Sequence, residues 1–169
     1  MINFLFCKAI FTQAGTAPNV VTDKATLRMT VRGATVSDLE DIILPAIKAA
    51  ANCIATSYGA TVDMHHYEPL FKDMRQDERL VSLFDEVMTE LGESPRKLPP
   101  DEADGSTDVG NVSYEVPTAQ PTLNIGNQLE AHTPEFACAA GSPYGLDQAI
   151  KGAKIMAVVA LRYAESLEV

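Results

Sequence analysis

Apolar and polar positions alternate with a period of two early in the chain. Ala25, Leu27, Met29 and Val31 alternate with Thr26, Arg28, Thr30 and Arg32, the pattern of a half-buried strand, and Gly33 closes it. Residues 7–13 read as an earlier strand, broken at Ala14 and Gly15. Over residues 35–58 the period becomes helical: Leu39, Ile42, Ile43, Ala46, Ile47, Ala50, Cys53 and Ile54 fall on one face. Ser37 with Glu40 fits a capping box and Gly59 a C-terminal stop. Pro45 conflicts with this helix, because an interior proline removes a hydrogen bond and kinks the axis at a cost of ~3 kcal/mol. Residues 61–67 return as a strand.

The second half predicts two helices around a loop-rich middle. Leu80, Leu83, Phe84, Val87, Met88 and Leu91 form the stripe of a helix over 77–91, with Asp77 as cap and Gly92 as stop. Pro95, Pro99 and Pro100 among charges make 93–104 a flexible loop. Residues 112–116 alternate like a strand ending at Pro117, and 123–125 make a second short strand closed by Gly126 and Asn127. Both feed polar loops, at 105–108 and 132–136, a common way to present functional groups. Ser142 as cap and Pro143 in the first turn open a terminal helix. Leu146, Ala149, Ile150, Ala153, Ala157, Ala160, Leu161 and Ala164 make a narrow, small-residue face that suits close packing on a sheet.

Composition narrows the partners. The 169-residue chain has room for one good core or two small ones. Its net charge of -10 argues against nucleic acid and anionic membranes, which require clustered Lys and Arg. The apolar run at 155–161 is too short to span a bilayer. Cys7, Cys53 and Cys138 are scattered and form no C-x-x-C pair. They read as reduced thiols of a cytoplasmic protein, packed as small buried hydrophobes. The apolar start at 1–6 lacks the basic residues and length of a signal peptide.

Two longer motifs carry a resemblance. Gly105-Ser106-Thr107-Asp108-Val109-Gly110-Asn111-Val112-Ser113, followed by a strand, a short apolar strand ending in glycine, and His132-Thr133-Pro134-Glu135-Phe136-Ala137, resembles the C-terminal catalytic segment of the aminoacylase and carboxypeptidase G family of metallopeptidases. The nearest branch is that of aminobenzoyl-glutamate hydrolase-type dipeptidases and amidohydrolases. Upstream, residues 15–25 (Gly-Thr-Ala-Pro-Asn-Val-Val-Thr-Asp-Lys-Ala) resemble the family's lid or dimerisation domain. The resemblance covers nearly the whole chain but only the C-terminal part of the family's full-length enzyme.

The resemblance implies an α+β chain. Residues 1–72 would be an incomplete ferredoxin-like lid (strand, strand, helix, strand) that has lost its first strand. Residues 73–169 would be a C-terminal α/β piece of a zinc-peptidase catalytic domain. The function implied is the C-terminal portion of a metal-dependent amidohydrolase or dipeptidase cleaving amides of N-acyl amino acids or dipeptides, inactive alone. The alternative is a non-catalytic dimerisation or regulatory module that kept the fold. A lid lacking its first strand exposes edges and apolar surface, so self-association or a complementary N-terminal half is expected.

In the family the histidine at the place of His132 ligates one of two metals, zinc or manganese. Asn19 matches an asparagine that reaches from the lid toward substrate. Lys8, eleven residues before it, stands where the family carries a histidine that stabilises the developing oxyanion. Asp108 reads equally as a wall of the substrate pocket or as a turn aspartate bonding its own backbone. Arg28 and Arg32, on the polar side of a lid strand, suit a substrate carboxylate, although such arginines are more often solvated charges. His65 and His66 are adjacent on a strand and point to opposite faces, so they cannot chelate one ion together. The family's remaining ligands and its paired-glutamate motif have no counterpart here, and no catalytic base is identifiable.

Overall fold

The computed structural model describes residues 5–97, 105–127 and 129–167. The first residues of the apolar start and most of the Pro99–Pro100 loop lie outside them. The chain is α+β: β1 (Leu5–Gln13), β2 (Thr26–Gly33), a π-helical segment (Asp38–Ile43), α1 (Leu44–Ser57), α2 (Glu78–Glu90), α3 (Val109–Val112), α4 (Pro134–Ala140) and α5 (Pro143–Glu165). Its contacts divide it into two compact units, Met1–Asp73 and Met74–Val169. Among the described residues no helix is long and apolar enough to cross a membrane.

In the first unit β1 and β2 pair antiparallel, with Cys7 opposite Val31, Ala9 opposite Met29 and Phe11 opposite Leu27. The period-two pattern thus places an apolar set on one face and Lys8, Ile10, Arg28, Thr30 and Arg32 on the other. The connecting loop turns at Gly15, whose φ of 98° favours glycine. The ladder shifts register between Phe11 and Gln13.

The strand expected over 61–67 is absent. Tyr67 lies against the face of β2 instead of along its edge: its hydroxyl is 3.4 Å from the Thr30 hydroxyl and its ring lies 5.0 Å under the Arg28 guanidinium. These two residues share a face, so side chains, not a backbone ladder, hold this segment.

The helix predicted over 35–58 forms, and Pro45 reshapes its start. Leu44 donates its backbone N–H to the Leu39 carbonyl, five residues back, and Pro45 then falls in the first turn of α1. The wider turn accommodates the ring that a regular helix interior would clash with. The cap is Thr35, not Ser37: Thr35 Oγ1 accepts from the Asp38 amide (3.1 Å) and donates to its carboxylate (3.0 Å), whereas Ser37 makes no side-chain cap bond. Gly59, at φ 68°, stops the helix as expected. Of the predicted apolar face only Leu39 and Ile43 are buried, while Ile54 is 62% exposed.

The core of the second unit lies between α2 and α5, where Val87, Met88, Ile155 and Val159 are buried and Leu80, Leu83, Phe84, Leu123 and Val158 pack around them. Arg79 at the start of α2 donates to the Ser166 carbonyl past the end of α5 (2.7 Å), while Glu93 beyond α2 meets Gln148 and Lys151 nearer the start of α5. The two helices therefore run antiparallel. Asp77 caps α2 through the Leu80 amide and Ser142 caps α5 through the Gly145 amide, both as expected.

Several sequence expectations fail. Residues 112–116 are the end of α3 and a turn, and 123–125 are not a strand. The amides of Ser113 and Val116 bond to the carbonyls of Val109 and Val112. Among the described residues this unit offers no strand to pair with, so the backbone satisfies itself locally. The small-residue face of α5 is not the packed one: Leu146, Ile150 and Leu161 are exposed, and the helix buries Ile155 and Val159 against α2, and Gln148 beside Glu93. The three cysteines are exposed rather than buried, since Cys7 and Cys53 lie on the uncovered apolar faces of β1 and α1.

Ion pairs tie the end of α2 to α5. Glu93 meets Lys151, and Glu90 meets Arg162 through two bonds of 2.9 and 2.8 Å. Hydrogen bonds from Lys151 and Arg162, respectively, hold the Glu93 and Glu90 carboxyls below their ordinary 4.5. A depressed carboxyl pKa contributes stability above the unfolded value and loses it as pH falls through the folded one. Stability should therefore decline below about pH 4.5. The Glu90→Gln/Glu93→Gln variant should show a shallower acid limb in thermal melts between pH 5 and 3, and an unchanged limb would refute this.

Candidate functional site

The first unit gathers three of the predicted residues. Lys8 lies opposite Thr30, Phe6 opposite Arg32 and Ile10 opposite Arg28. Strand parity puts Lys8, Arg28 and Arg32 on one face, with Lys8 diagonal to both arginines, a separation of ~7–8 Å between Cα atoms. Arg28 is braced on the Tyr67 ring. All three cations are exposed. A face with two guanidinium forks and an ammonium suits a carboxylate group.

Asn19 sits in the β1–β2 connection. The Val20 amide bonds to the Ala17 carbonyl (3.3 Å), a four-residue turn with Pro18 and Asn19 at its centre, and Asn19 is exposed. His65 and His66 are outside any strand. His65 Nδ1 stands 4.0 Å from Asp63 Oδ2, both side chains largely exposed.

In the second unit His132 occupies the position before the Thr133 cap of α4. It has φ 66°, the left-handed region that few non-glycine residues enter, and among the described residues it is the non-glycine residue found there. Thr133 holds the turn on both sides, donating to the Glu130 carbonyl (2.8 Å) and accepting from the Phe136 amide (3.2 Å). Such backbone costs about 1–3 kcal/mol and is concentrated at functional sites. His132 is exposed.

The helix that follows, α4, takes up residues 134–136 of the stretch 132–136 that the sequence pattern reads as a loop. Its signals are plain in hindsight: Thr133 as cap, Pro134 at the first position and Glu135 in the first turn.

Asp108 precedes α3 but makes no side-chain cap bond. The Val109 amide goes to Thr107 Oγ1 at 3.3 Å instead, so the self-bonding turn aspartate is not what forms. Among the described residues no hydrogen bond or ion pair joins Asp108 to His132.

The described residues do not compose a metal centre. A catalytic zinc site uses three protein ligands, and among the described residues no three His, Cys, Asp or Glu side chains are grouped to hold an ion. His132 suits the role of one imidazole ligand.

Two polar arrangements went unrecognised in the sequence. Arg75 stacks 3.6 Å over the Tyr114 ring. Gln148, 4% exposed, donates to Tyr144 and Glu93 while its own Oε1 is left without a partner. The Arg75–Tyr114 stack and the Gln148–Glu93 bond join positions far apart along the chain, with no local pattern to announce them, whereas Gln148 and Tyr144 are one helical turn apart on α5.

No family model matches this chain. Among curated proteins it is similar to the Xaa-Arg dipeptidase of Mus musculus, 28% identical over 160 residues, which is 90% of this chain and 36% of the mouse protein. It is also similar to the Xaa-Arg dipeptidase of Homo sapiens, 42% identical over 57 residues, 34% of this chain and 13% of the human protein. The chain thus spans about a third of the mouse relative's length, 36% of it within the match.

Proposed function

We propose that this chain is the C-terminal portion of a metal-dependent amidohydrolase of the dipeptidase type, active only together with a complementary polypeptide. The observation that carries the reading is the single match to the mouse dipeptidase, which runs through both units of the chain. A chance likeness confined to one motif would not extend over 90% of the sequence.

In this reading His132, set in its left-handed turn before α4, contributes one ligand to a zinc or manganese site completed elsewhere. The metal would supply Lewis acidity at the scissile amide. The chain's own residues bind and orient. Within the first unit Arg28 and Arg32 would take a substrate carboxylate, Lys8 would add positive charge between them, and Asn19 would border the same group. The substrate class is a dipeptide or an N-acyl amino acid.

A second reading, a dimerisation or regulatory module without chemistry, draws on the uncovered apolar surface of the first unit. Phe11 is 68% and Ile10 64% exposed on opposite faces of the hairpin, surface that self-association would cover.

The test combines this chain with the part of the mouse relative outside the match, then measures metal by mass spectrometry and hydrolysis of an Ala-Arg dipeptide. Metal binding and hydrolysis should appear together in the complex. His132→Ala should lower both by more than about 100-fold, since even groups that merely support metal ligands are worth 10–100-fold. Metal-dependent hydrolysis by the chain alone, or an unchanged rate in the His132→Ala complex, would overturn the reading. A complex that binds no metal and hydrolyses nothing would favour the second.

A further inference from the structure

Helix α5 packs on α2 through Ile155 and Val159, yet it carries a second apolar face. On its other side Leu146, Ile150, Met156 and Leu161 are each more than half exposed. The helical positions between them are exposed alanines, and no charged or hydrogen-bonding side chain interrupts this face for about five turns. The outer positions of α2 differ: Ser82, Glu86 and Thr89 are exposed and polar, an ordinary solvated face. A helix that is apolar on both sides belongs between two layers, and the described residues supply one of them.

A backbone without partners runs beside the open face. Leu123 and Ile125 are half-buried while Thr122 and Asn124 are exposed, the alternation of a strand. Leu123 packs on the α2–α5 core and lies 3.3 Å from the place that a Cβ on Gly152 would take. The segment therefore rests against α5 one turn from Met156. Its ends are held, with the Asp77 amide donating to the Thr118 carbonyl (2.8 Å) and the Gly126 amide to Asn124 Oδ1 (2.8 Å). Between those two bonds, among the described residues, the backbone amides and carbonyls of 119–125 have no hydrogen-bond partner. Such a row of unpaired groups is a template for an added strand.

Both features fit one occupant, a polypeptide that offers a free strand edge and an apolar sheet face. A second copy of this unit fits poorly. Among the described residues the unit has no strand of its own. Sixteen Asp and Glu against seven Lys and Arg over residues 74–169 give it a charge of -9, so two copies repel. The mouse dipeptidase points to the source, because the match takes up only 36% of its length.

We propose that residues 119–125 join the sheet of the complementary polypeptide as a strand, and that the open face of α5 packs on that sheet. The alanines let the helix axis approach the sheet closely, while Leu146, Ile150, Met156 and Leu161 flank the contact. The identity of the partner rests on the dipeptidase reading, whereas the demand for a strand and a sheet face rests on this unit alone.

The test mixes the intact chain with the part of the mouse relative outside the match and follows amide hydrogen exchange. In the chain alone the amides of 119–125 should exchange at nearly the unprotected rate. In the mixture at least every second one should slow by about 100-fold or more, the mark of a strand paired along one edge. Ile150→Lys/Leu161→Lys places two charges in the contact and should weaken association by at least about 100-fold. It should leave the melting temperature of the chain alone unchanged, since both side chains are exposed. No association, association indifferent to the two lysines, or 119–125 already protected in the free chain would each overturn the proposal. The last of these is decided without the mouse polypeptide. Metal binding and hydrolysis without protection at 119–125 would sink the docking and leave the dipeptidase reading standing. Protection without metal or hydrolysis would uphold the docking and sink that reading.

Discussion

Replacing Gly145 with alanine should destabilise the second unit by about 3 kcal/mol, lowering the melting temperature by roughly 6–12 °C. Helix propensity alone argues the reverse, because alanine in a helix interior is favoured over glycine by about 1 kcal/mol. Sterics decide the sign. Gly145 lies in the first turn of α5, and a Cβ there would overlap the Ala139 carbonyl oxygen and lie 2.8 Å from that of Ala140. Both atoms are backbone, so no side chain can swing aside. The tight passage from α4 into α5 depends on this contact: Ser142 receives the Gly145 amide at 3.1 Å and donates to Ala139 at 2.7 Å. Relief of the clash requires α4 to shift, and with it the Thr133 cap and the His132 turn. Thermal melts of the wild-type and Gly145→Ala chains provide the measurement. An equal or higher melting temperature would mean that α4 and α5 do not meet this closely.

How legible such features were in the sequence follows from how local they are. The β1–β2 pairing could be read because each strand carries its own alternation, and a single glycine-containing connection joins them. The caps at Asp77 and Ser142 and the stops at Gly59 and Gly92 could be read because each acts within a turn of its own residue. The strands expected over 61–67, 112–116 and 123–125 could not be judged this way. Alternation over three to seven residues says only that a strand would be amphipathic, while a strand exists only where another backbone pairs with it. Tyr67 finds side chains of β2 instead, and Ser113 finds its own helical turn. The cap at Thr35 was misplaced by two residues because Thr35–Asp38 and Ser37–Glu40 are overlapping versions of one pattern. For the candidate site, strand parity already placed Arg28 and Arg32 on the polar side of the hairpin, and the register adds Lys8 to them. The left-handed backbone of His132 has no signature in residue type, and the Arg75–Tyr114 stack joins positions that only the folded chain brings together.

Truncating Ile155 to alanine should cost about 2–5 kcal/mol, whereas the same truncation at Ile54 should change stability by no more than about 0.5 kcal/mol. The two residues are chemically identical and both lie on helices, so only their surroundings differ. Ile155 is 2% exposed and packs with Val87 at 1%, Met88 at 6% and Val159 at 3%, leaving a cavity when truncated. Ile54 is 62% exposed on α1, a helix that buries none of its own residues. The loss at Ile155 is a large part of the ~5–15 kcal/mol that holds a typical domain together. Urea unfolding followed by far-ultraviolet circular dichroism should show a lower midpoint for Ile155→Ala with the slope retained. A small effect there would mean that α2 and α5 do not form the core described. An Ile54→Ala loss comparable to that at Ile155 would mean that another surface covers α1 in solution. Amide exchange separates the units independently: an isolated two-stranded hairpin is marginal in water, so β1 and β2 should exchange well before the centres of α2 and α5. Slow exchange throughout the hairpin would point to the same covered α1 and sheet, and would turn the exposed Phe11 and Ile54 into interface residues.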